Sequence, residues 1–355
     1  MMMTIRSRAH DYSVGEEADL CTAVSKISRS GNVFALVDDF AIKPPYTNVF
    51  GSLPEDRILA IEATESAKSF ERLTPLFSWL LERGFRRDST LLVVGGGVTQ
   101  DIACFVATVL LRGIRWHLIP TTLLAQCDSC IGSKSSINLG KFKNQIGTFY
   151  PPNSITLVPD VLKTLPPVEI ISGLGEAIKL HLLAGADKFA FLREKLALFG
   201  GLDFQLNEIV WSCLAIKKPF IEEDEFDGGR RNLLNYGHTF GHAYESATSY
   251  AIPHGIAVTL GVLTATFVSM RRGWVPAEHF QELNGFLRPF YDPFQHVLKS
   301  ADIRAILAAM KLDKKNAGGN INCILTRGPG RMEKAAVSSV EELAADLQAF
   351  FEDLP

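Results

Sequence analysis

The sequence predicts an α/β domain followed by a mainly helical domain, and three observations support this fold class. Up to about residue 165, short apolar runs typical of buried parallel strands alternate with helical patterns. From residue 166 onward the strand patterns fade and apolar residues recur at helical spacing. A chain of 355 residues is long enough for two domains with separate cores. We therefore expect domains at residues 1–165 and 166–355, with proline pairs marking the change at 151–152 and 166–167.

Composition and charge narrow the classes of protein that fit. The chain is 47% hydrophobic and 21% charged, with a formal net charge of −3, so no basic excess points to nucleic acid. Residues 1–20 lack the apolar core of a secretory signal, and the apolar run 255–270 is short for a membrane span. We expect that run to be a buried core helix and the protein to be cytoplasmic.

Six cysteines are too few for a disulfide scaffold in a chain of this length. Cys127 and Cys130 form a C-x-x-C pattern, which a redox dithiol would also show. The segment lacks the interior residues typical of a redox loop, and no second C-x-x-C completes a zinc site. We therefore favour two buried, reduced thiols.

Four strands are predicted in the first domain, over residues 32–37, 57–62, 89–94 and 116–119. The first ends in Asp38-Asp39, where parallel sheets place ligand-binding loops. One helix follows the second strand, and another runs from residue 102 to a C-cap at Gly113. The apolar face predicted for the first of these helices consists of Leu73, Leu76, Phe77, Leu80 and Leu81.

Two segments of the first domain are suited to anions. Gly95, Gly96 and Gly97 join a strand to a helix, which brings backbone N–H groups up to a phosphate at the helix N-terminus. A tight turn without a ligand is the alternative. Residues 132–144 contain three lysines and two asparagines and few core residues, so they favour either an anionic ligand or a solvated basic loop.

The second domain begins with a predicted helix over residues 169–184, which places Glu176 and Lys179 on one face. A helix over 212–224 carries Lys217. Further helices are predicted around 255–270, 276–288, 301–312 and 339–351, with an isolated strand at 320–326.

Three histidines stand out in the second domain. His238 and His242 are four residues apart, which places them on one face of a helix, and His254 follows twelve residues later. This spacing suits two metal ligands, or one ligand with a catalytic neighbour. The alternative is partly buried histidines bonded to backbone carbonyls.

Several motifs, in this order along residues 30–350, resemble the dehydroquinate synthase family of sugar phosphate cyclases. They are Gly-Gly-Gly-Val-Thr-Gln-Asp101, Pro-Thr-Thr-Leu-Leu-Ala-Gln-Cys-Asp128, Lys134, Lys143-Asn144, Lys-Thr-Leu-Pro-Pro-Val-Glu169, Ser-Gly-Leu-Gly-Glu176-Ala-Ile-Lys179, residues 231–242 and His254-Gly255. The resemblance implies a Rossmann-like NAD-binding α/β domain followed by a helical metal-binding domain. It also implies a homodimer.

The resemblance assigns roles to individual residues. Glu176, His238 and His254 would bind zinc or cobalt, a donor set that leaves positions open for substrate oxygens. The implied NAD contacts are Asp39, Glu65, Lys68, Gly95, Gly96, Gly97, Asp101, Thr121, Thr122, Leu124, Asp128, Lys143, Thr164, Leu165 and Glu169. The implied catalytic and substrate contacts are Asp128, Lys134, Asn144, Lys179, Lys217, Arg231, Asn235, His242, Lys315 and, across a dimer interface, Arg112.

The implied reaction is the cyclisation of a phosphorylated seven-carbon sugar by transient NAD oxidation, β-elimination of phosphate, re-reduction and an intramolecular aldol step. Lys217 and Arg231 favour an acidic substrate, because a buried pair of cations without an anion is costly. A related cyclase that acts on an amino analogue of this acidic sugar phosphate, or on sedoheptulose 7-phosphate, stays an alternative. A zinc- and NAD-dependent polyol dehydrogenase and a non-catalytic binding protein are further alternatives. Ile256, Phe142 and Ala41 depart from the family pattern.

Overall fold

The computed structural model describes residues 1–140, 142–198, 205–312, 321–337 and 340–354. It contains two compact units. The first comprises Met1–Pro166 and Lys217–Asp227, and the second comprises Pro167–Ile216 and Gly228–Pro355. Lys217 therefore packs with the first unit. The division of functions at residue 165 stays a prediction.

The first unit has an α/β architecture. Its described strands are β1 (Met2–Ile5), β2 (Tyr12–Glu16), β3 (Val33–Asp38), β4 (Ile58–Ile61), β5 (Thr90–Gly95), β6 (Arg115–Pro120), β7 (Ile137–Leu139), β8 (Phe142–Ile146) and β9 (Ser154–Leu157). Its helices are α1 (Leu20–Ser28), α2 (Leu73–Glu82) and α3 (Gly97–Val109). Seven described strands form one sheet in the order β1-β2-β9-β6-β5-β3-β4, which is parallel except for the β1–β2 pair.

The centre of this sheet follows directly from the sequence. Every residue of β3 and β5 is buried, as continuous apolar runs in a helix-covered parallel sheet should be. Val37 pairs with Val94, and Gly95 pairs with Pro120, so the carboxyl ends of β3, β5 and β6 share one edge. Asp38, the glycine turn and residues 120–122 consequently lie together there.

Several sequence-based expectations for the first unit need correction. The second half of the basic segment 132–144 belongs to an antiparallel pair of strands, β7 and β8, which was not predicted. Leu81 is 44% exposed and does not belong to the buried face of α2. Gly113, at φ +113°, ends a 3₁₀ turn that follows α3. Strands β1, β2 and β9 were not predicted, because they are short and β1 is mostly exposed.

The second unit is mainly helical. Its described helices are α4 (Pro167–Ala184), α5 (Ala186–Leu196), α6 (Leu206–Glu223, of which 217–223 pack with the first unit), α7 (His238–Ala247), α8 (His254–Arg271), α9 (Ala277–Tyr291), α10 (Gln295–Lys299), α11 (Ile303–Leu312) and α12 (Val340–Asp353). The predicted isolated strand is paired: β10 (Ile321–Thr326) forms an antiparallel hairpin with β11 (Met332–Val337).

Helix α8 is the centre of the second unit. By length and composition it could cross a membrane, but 83% of it is buried inside the protein, as expected for a core helix. Glycines let its neighbours approach closely: a Cβ on Gly175 of α4 would overlap the Gly255 carbonyl, and one on Gly241 of α7 would lie 2.9 Å from the Ala257 carbonyl oxygen. Helices α4 and α7 are therefore held against the start of α8.

Candidate metal centre and nucleotide-binding site

Three imidazoles converge where α7 and α8 begin. His238 is the first residue of α7, His242 follows one turn later, and His254 is the first residue of α8. One nitrogen from each ring lies within 4.8 Å of the others. The structure thus brings together all three histidines that the sequence singled out.

Glu176 completes this cluster from α4. Its Oε1 lies 3.2 Å from Nε2 of His254 and 3.5 Å from Nε2 of His238. The close α4–α8 crossing at Gly175 and Gly255 explains this proximity, because Glu176 and His254 each adjoin a crossing residue. Residues more than 60 positions apart in the sequence therefore meet at one point.

The surroundings of Glu176 fit a cation. The side chain is 1% exposed, and Lys179 Nζ lies 2.5 Å from its Oε2. Even so, among the described residues neither carboxylate oxygen has a partner with hydrogen-bond geometry. A buried carboxylate in this condition is costly unless another group binds it. One carboxylate and two or three imidazoles are donors that zinc or cobalt accepts.

Both predicted histidine ligands are oriented through their second ring nitrogen. Nδ1 of His238 lies 3.3 Å from the Tyr236 carbonyl oxygen, and Nδ1 of His254 lies 3.2 Å from Oε2 of Glu245. Such contacts turn Nε2 toward a metal. Burial lowers the pKa of His254, but its contacts with Glu176 and Glu245 outweigh burial and raise that pKa to about 10. The carboxylates of Glu176 and Glu245 therefore favour positive charge at His254.

Glu245 was missed by sequence reasoning. It lies seven residues after His238, which is two turns along the same face of α7. That spacing was available in the sequence, but nothing marked this acid among the many others.

The remaining residues predicted for the substrate in the second unit lie near the start of α7 or on α4. Arg231 is 4% exposed and Lys179 is 1% exposed, so two cations are buried in this unit. Arg231 and Asn235 belong to a 3₁₀ segment, Arg230–Asn235, where the Asn235 amide donates to the Asn232 carbonyl at 3.0 Å. Glu169, predicted to contact NAD, lies on α4. Lys315 lies outside the described residues.

In the first unit, Asp38 organises the glycine turn at the end of β5. Its carboxylate accepts the Gly96 N–H at 3.0 Å and the Thr99 hydroxyl. Burial raises the pKa of Asp38, and these two hydrogen bonds oppose that rise. Asp39 is paired with Lys43, and its predicted contact with NAD stays a prediction. From the sequence alone, the buried Asp38 could not be distinguished from its more exposed neighbour.

The glycine turn fits a nucleotide phosphate. Gly96 is the N-cap of α3 and offers no side-chain cap, so the first turn of this helix presents backbone N–H groups. A Cβ on Gly96 would lie 2.8 Å from Cγ2 of Thr122, so the close approach of these segments needs glycine. Beside it, Thr121 Oγ1 is buried with no hydrogen-bond partner among the residues described.

Charged residues predicted to contact NAD form a network beyond this turn. Lys68, which is 8% exposed at its side chain, lies 3.0 Å from Asp101 and 3.5 Å from Glu65, and Lys143 lies 3.8 Å from Glu65. Burial raises the pKa of Asp101 to about 6, although Lys68 opposes the rise. The last two predicted contacts are Thr164 and Leu165, of which Thr164 donates to the Val161 carbonyl at 2.9 Å.

The predicted substrate cations of the first unit are paired with acids. Lys217 Nζ lies 2.5 Å from Oδ1 of Asp128 and 2.6 Å from its carbonyl oxygen. Lys134 is paired with Asp227. Arg112 is exposed at φ +65°, and Asn144 has φ +56° in β8.

Cys127 and Cys130 lie in a short π-helical segment, Ala125–Ser129, and at its end; both are buried and neither forms a disulfide. Burial raises the pKa of Cys130 to about 12, which suppresses the thiolate that redox chemistry requires. The geometry favours the interpretation of two reduced core thiols.

Together, the sheet with its glycine turn and the helical unit with its histidine cluster define a class of two-unit enzymes. Residues 58–172 match the 3-dehydroquinate synthase N-terminal family, and residues 173–316 match the 3-dehydroquinate synthase C-terminal family. The 3-dehydroquinate synthase of Alkaliphilus metalliredigens is 35% identical over 320 residues, covering 89% of each chain. That of Rhodospirillum rubrum is 38% identical over 288 residues, covering 77% of this chain and 73% of the relative. The chain belongs to the 3-dehydroquinate synthase family.

Solved structures confirm the predicted fold class. A 2-deoxy-scyllo-inosose synthase complexed with carbaglucose-6-phosphate, NAD+ and Co2+ matches with a TM-score of 0.87 at 23% identity, covering all of both chains. The 2-epi-5-epi-valiolone synthase of Streptomyces hygroscopicus, with NAD+ and Zn2+ bound, matches with a TM-score of 0.84 at 22% identity, covering 96% of this chain and 97% of the other. Glycerol dehydrogenase from Schizosaccharomyces pombe matches less well, with a TM-score of 0.64 at 17% identity, covering 96% and 88%.

Proposed function

We propose that this chain converts 3-deoxy-arabino-heptulosonate 7-phosphate (DAHP) to 3-dehydroquinate and phosphate, with NAD and a divalent metal as cofactors. Its family membership supports the reaction class. The single observation that carries the proposal is the centre formed by Glu176, His238 and His254. Its buried carboxylate lacks hydrogen bonds among the described residues, and its imidazoles are oriented by second contacts. These are properties of a catalytic metal site.

The proposed division of labour gives the nucleotide to residues 1–165 and the metal to residues 166–355. NAD supplies a temporary hydride acceptor and the metal supplies a Lewis acid for the substrate oxygens. The glycine turn at residues 95–97 binds the pyrophosphate through backbone N–H groups at the start of α3. Glu65, Lys68 and Asp101 form the charged border of that site.

The substrate is held by cations and amides of this chain. Lys217 and Arg231, which are both buried cations, bind the carboxylate that distinguishes DAHP from a neutral sugar phosphate. Lys134 and Asn144 bind the phosphate, together with His242. Their hydrogen bonds orient the phosphate so that it can leave and accept the neighbouring proton.

Phosphate release is the decisive measurement. The metal-loaded protein should release phosphate from DAHP in the presence of NAD, lose that activity with a chelator, and accumulate no NADH. Turnover of sedoheptulose 7-phosphate alone would contradict the proposed substrate. Net NADH production from a simple alcohol would instead indicate a polyol dehydrogenase.

We also propose a cytoplasmic homodimer in which Arg112 of one protomer serves the partner's site. The exposure of Arg112, which leaves its side chain accessible to a partner, supports this assignment. Analytical ultracentrifugation should give a dimer, and Arg112→Ala should lower turnover without loss of metal. A monomer with full activity would refute the arrangement.

A further inference from the structure

A buried asparagine links two sets of residues that the proposed function separates. Asn138 lies in β7, is 7% exposed, and has no role in the reaction as proposed above. One side of its amide meets Glu65, a proposed nucleotide contact, and the other meets Asn144, a proposed phosphate contact. All three residues belong to the first unit.

The hydrogen bonds of Asn138 fix the orientation of its amide. Nδ2 donates to Oε1 of Glu65 at 2.9 Å and to the Glu65 carbonyl oxygen at 3.3 Å. Oδ1 accepts the Asn144 N–H at 2.9 Å. Two acceptors face the nitrogen and one donor faces the oxygen, so a flipped amide would lose every one of these bonds. The backbone is held too, because the Asn138 N–H donates to the Lys68 carbonyl at 2.8 Å.

The bond to Asn144 acts on a residue in an uncommon conformation. Asn144 has φ +56°, a left-handed region that costs energy for residues other than glycine. The register between β7 and β8 is irregular at residues 137–139. A side-chain acceptor at this point stabilises the backbone of Asn144 and so directs its side chain.

We infer that Asn138 is a positioning residue that holds the phosphate contact Asn144 and the nucleotide contact Glu65 in one hydrogen-bonded unit. The inference rests on the proposed function, since that function assigns the roles of Asn144 and Glu65. Disturbance of Glu65 is transmitted to Asn144 through a single amide. Asn138 touches neither ligand itself.

A matched pair of variants tests this inference by the dissociation constant of inorganic phosphate, measured by calorimetry on the metal-loaded, NAD-saturated protein. Asn138→Ala should raise that constant about three- to tenfold, the worth of one or two hydrogen bonds. Asn153→Ala is the control, because Asn153 Oδ1 accepts the Trp116 N–H at 3.0 Å near the start of β6, away from the glycine turn. It should destabilise the fold yet leave phosphate affinity within about twofold. Equal phosphate affinity in the two variants would overturn the inference.

A reversed hydrogen-bond pair provides a second test that a general loss of stability cannot imitate. Asn138→Asp keeps the acceptor for Asn144 but sets an oxygen against the Glu65 carboxylate, so phosphate affinity should fall. Glu65→Gln in the same chain supplies a donor to that oxygen and should restore at least half of the lost affinity. Lack of any restoration would refute the link from Glu65 to Asn144. If Asn138→Ala fails to fold, Asn138→Asp and its combination with Glu65→Gln test the inference instead, because both substitutions keep the shape of the side chain.

Turnover separates failure of the inference from failure of the proposed function. A wild-type protein that releases no phosphate from DAHP refutes the function. An active wild type whose Asn138 variants match the Asn153 control in KM and phosphate affinity refutes only the role of Asn138.

Discussion

The two units differ in how their acidic side chains are bonded. In the second unit, Glu176 lies among imidazoles and 2.5 Å from Lys179, yet neither of its carboxylate oxygens has a hydrogen bond of good geometry among the described residues. In the first unit, Asp101 accepts hydrogen bonds from the Ser136 N–H and from Lys68, while Asp128 pairs with Lys217. The acid of the helical unit is therefore suited to a further cation, whereas the acids of the α/β unit already stabilise their lysines.

The largest effect should follow from Glu176→Gln, which removes the charge that attracts the metal while keeping the shape. We expect phosphate release from DAHP to fall by at least about 100-fold, with loss of bound metal measured by atomic emission. Glu194→Gln, on the exposed face of α5, is the control and should behave as wild type. Full metal occupancy in Glu176→Gln would refute the assignment of this carboxylate as a ligand.

His242→Ala should have the next largest effect. His242 lies 5.2 Å from His238 and 5.6 Å from His254 between ring centroids, so it could be a ligand or a neighbour. We expect the variant to keep its metal and lose most turnover, because His242 is assigned to the phosphate. If the metal is lost as well, the ligand set includes all three histidines.

Glu245→Gln tests the support of the metal centre. The amide oxygen can still face His254, but the charge that favours the ring's proton and orientation is gone. Metal affinity should fall about 10- to 100-fold, with turnover restored by added metal. An unchanged affinity in a competition titration with a chromogenic chelator would show that the His254–Glu245 contact is dispensable.

The smallest effect concerns the thiols of the first unit. Since burial raises the pKa of Cys130 to about 12, the thiol stays protonated at pH 8 and should react slowly with iodoacetamide. Cys21, which is exposed, should be labelled first. Peptide mass spectrometry of the native protein checks this order, and rapid labelling or a Cys127–Cys130 disulfide would revive the redox interpretation.

In the first unit, the features that could be predicted are those marked by residues next to one another in the sequence. Continuous apolar runs identified β3 and β5, and the three glycines marked the turn at the shared carboxyl edge. The hairpin β7–β8 was missed because its strands are only 3 and 5 residues long and carry no continuous apolar run. Asn138 went unassigned for the same reason.

By itself, the sequence determined the fold class through periodicity and glycine turns, which are properties of neighbouring residues. The resemblance of its motifs to a known family supplied the family and the candidate donors. The tertiary structure decided which of those side chains meet. Glu176 reaches His254 only because glycines allow α4 and α8 to cross closely, and Asp38 rather than Asp39 bonds to the glycine turn. The orientation of His254 by Glu245 likewise depends on helix packing. Packing selects partners from distant parts of the chain, which no local pattern encodes.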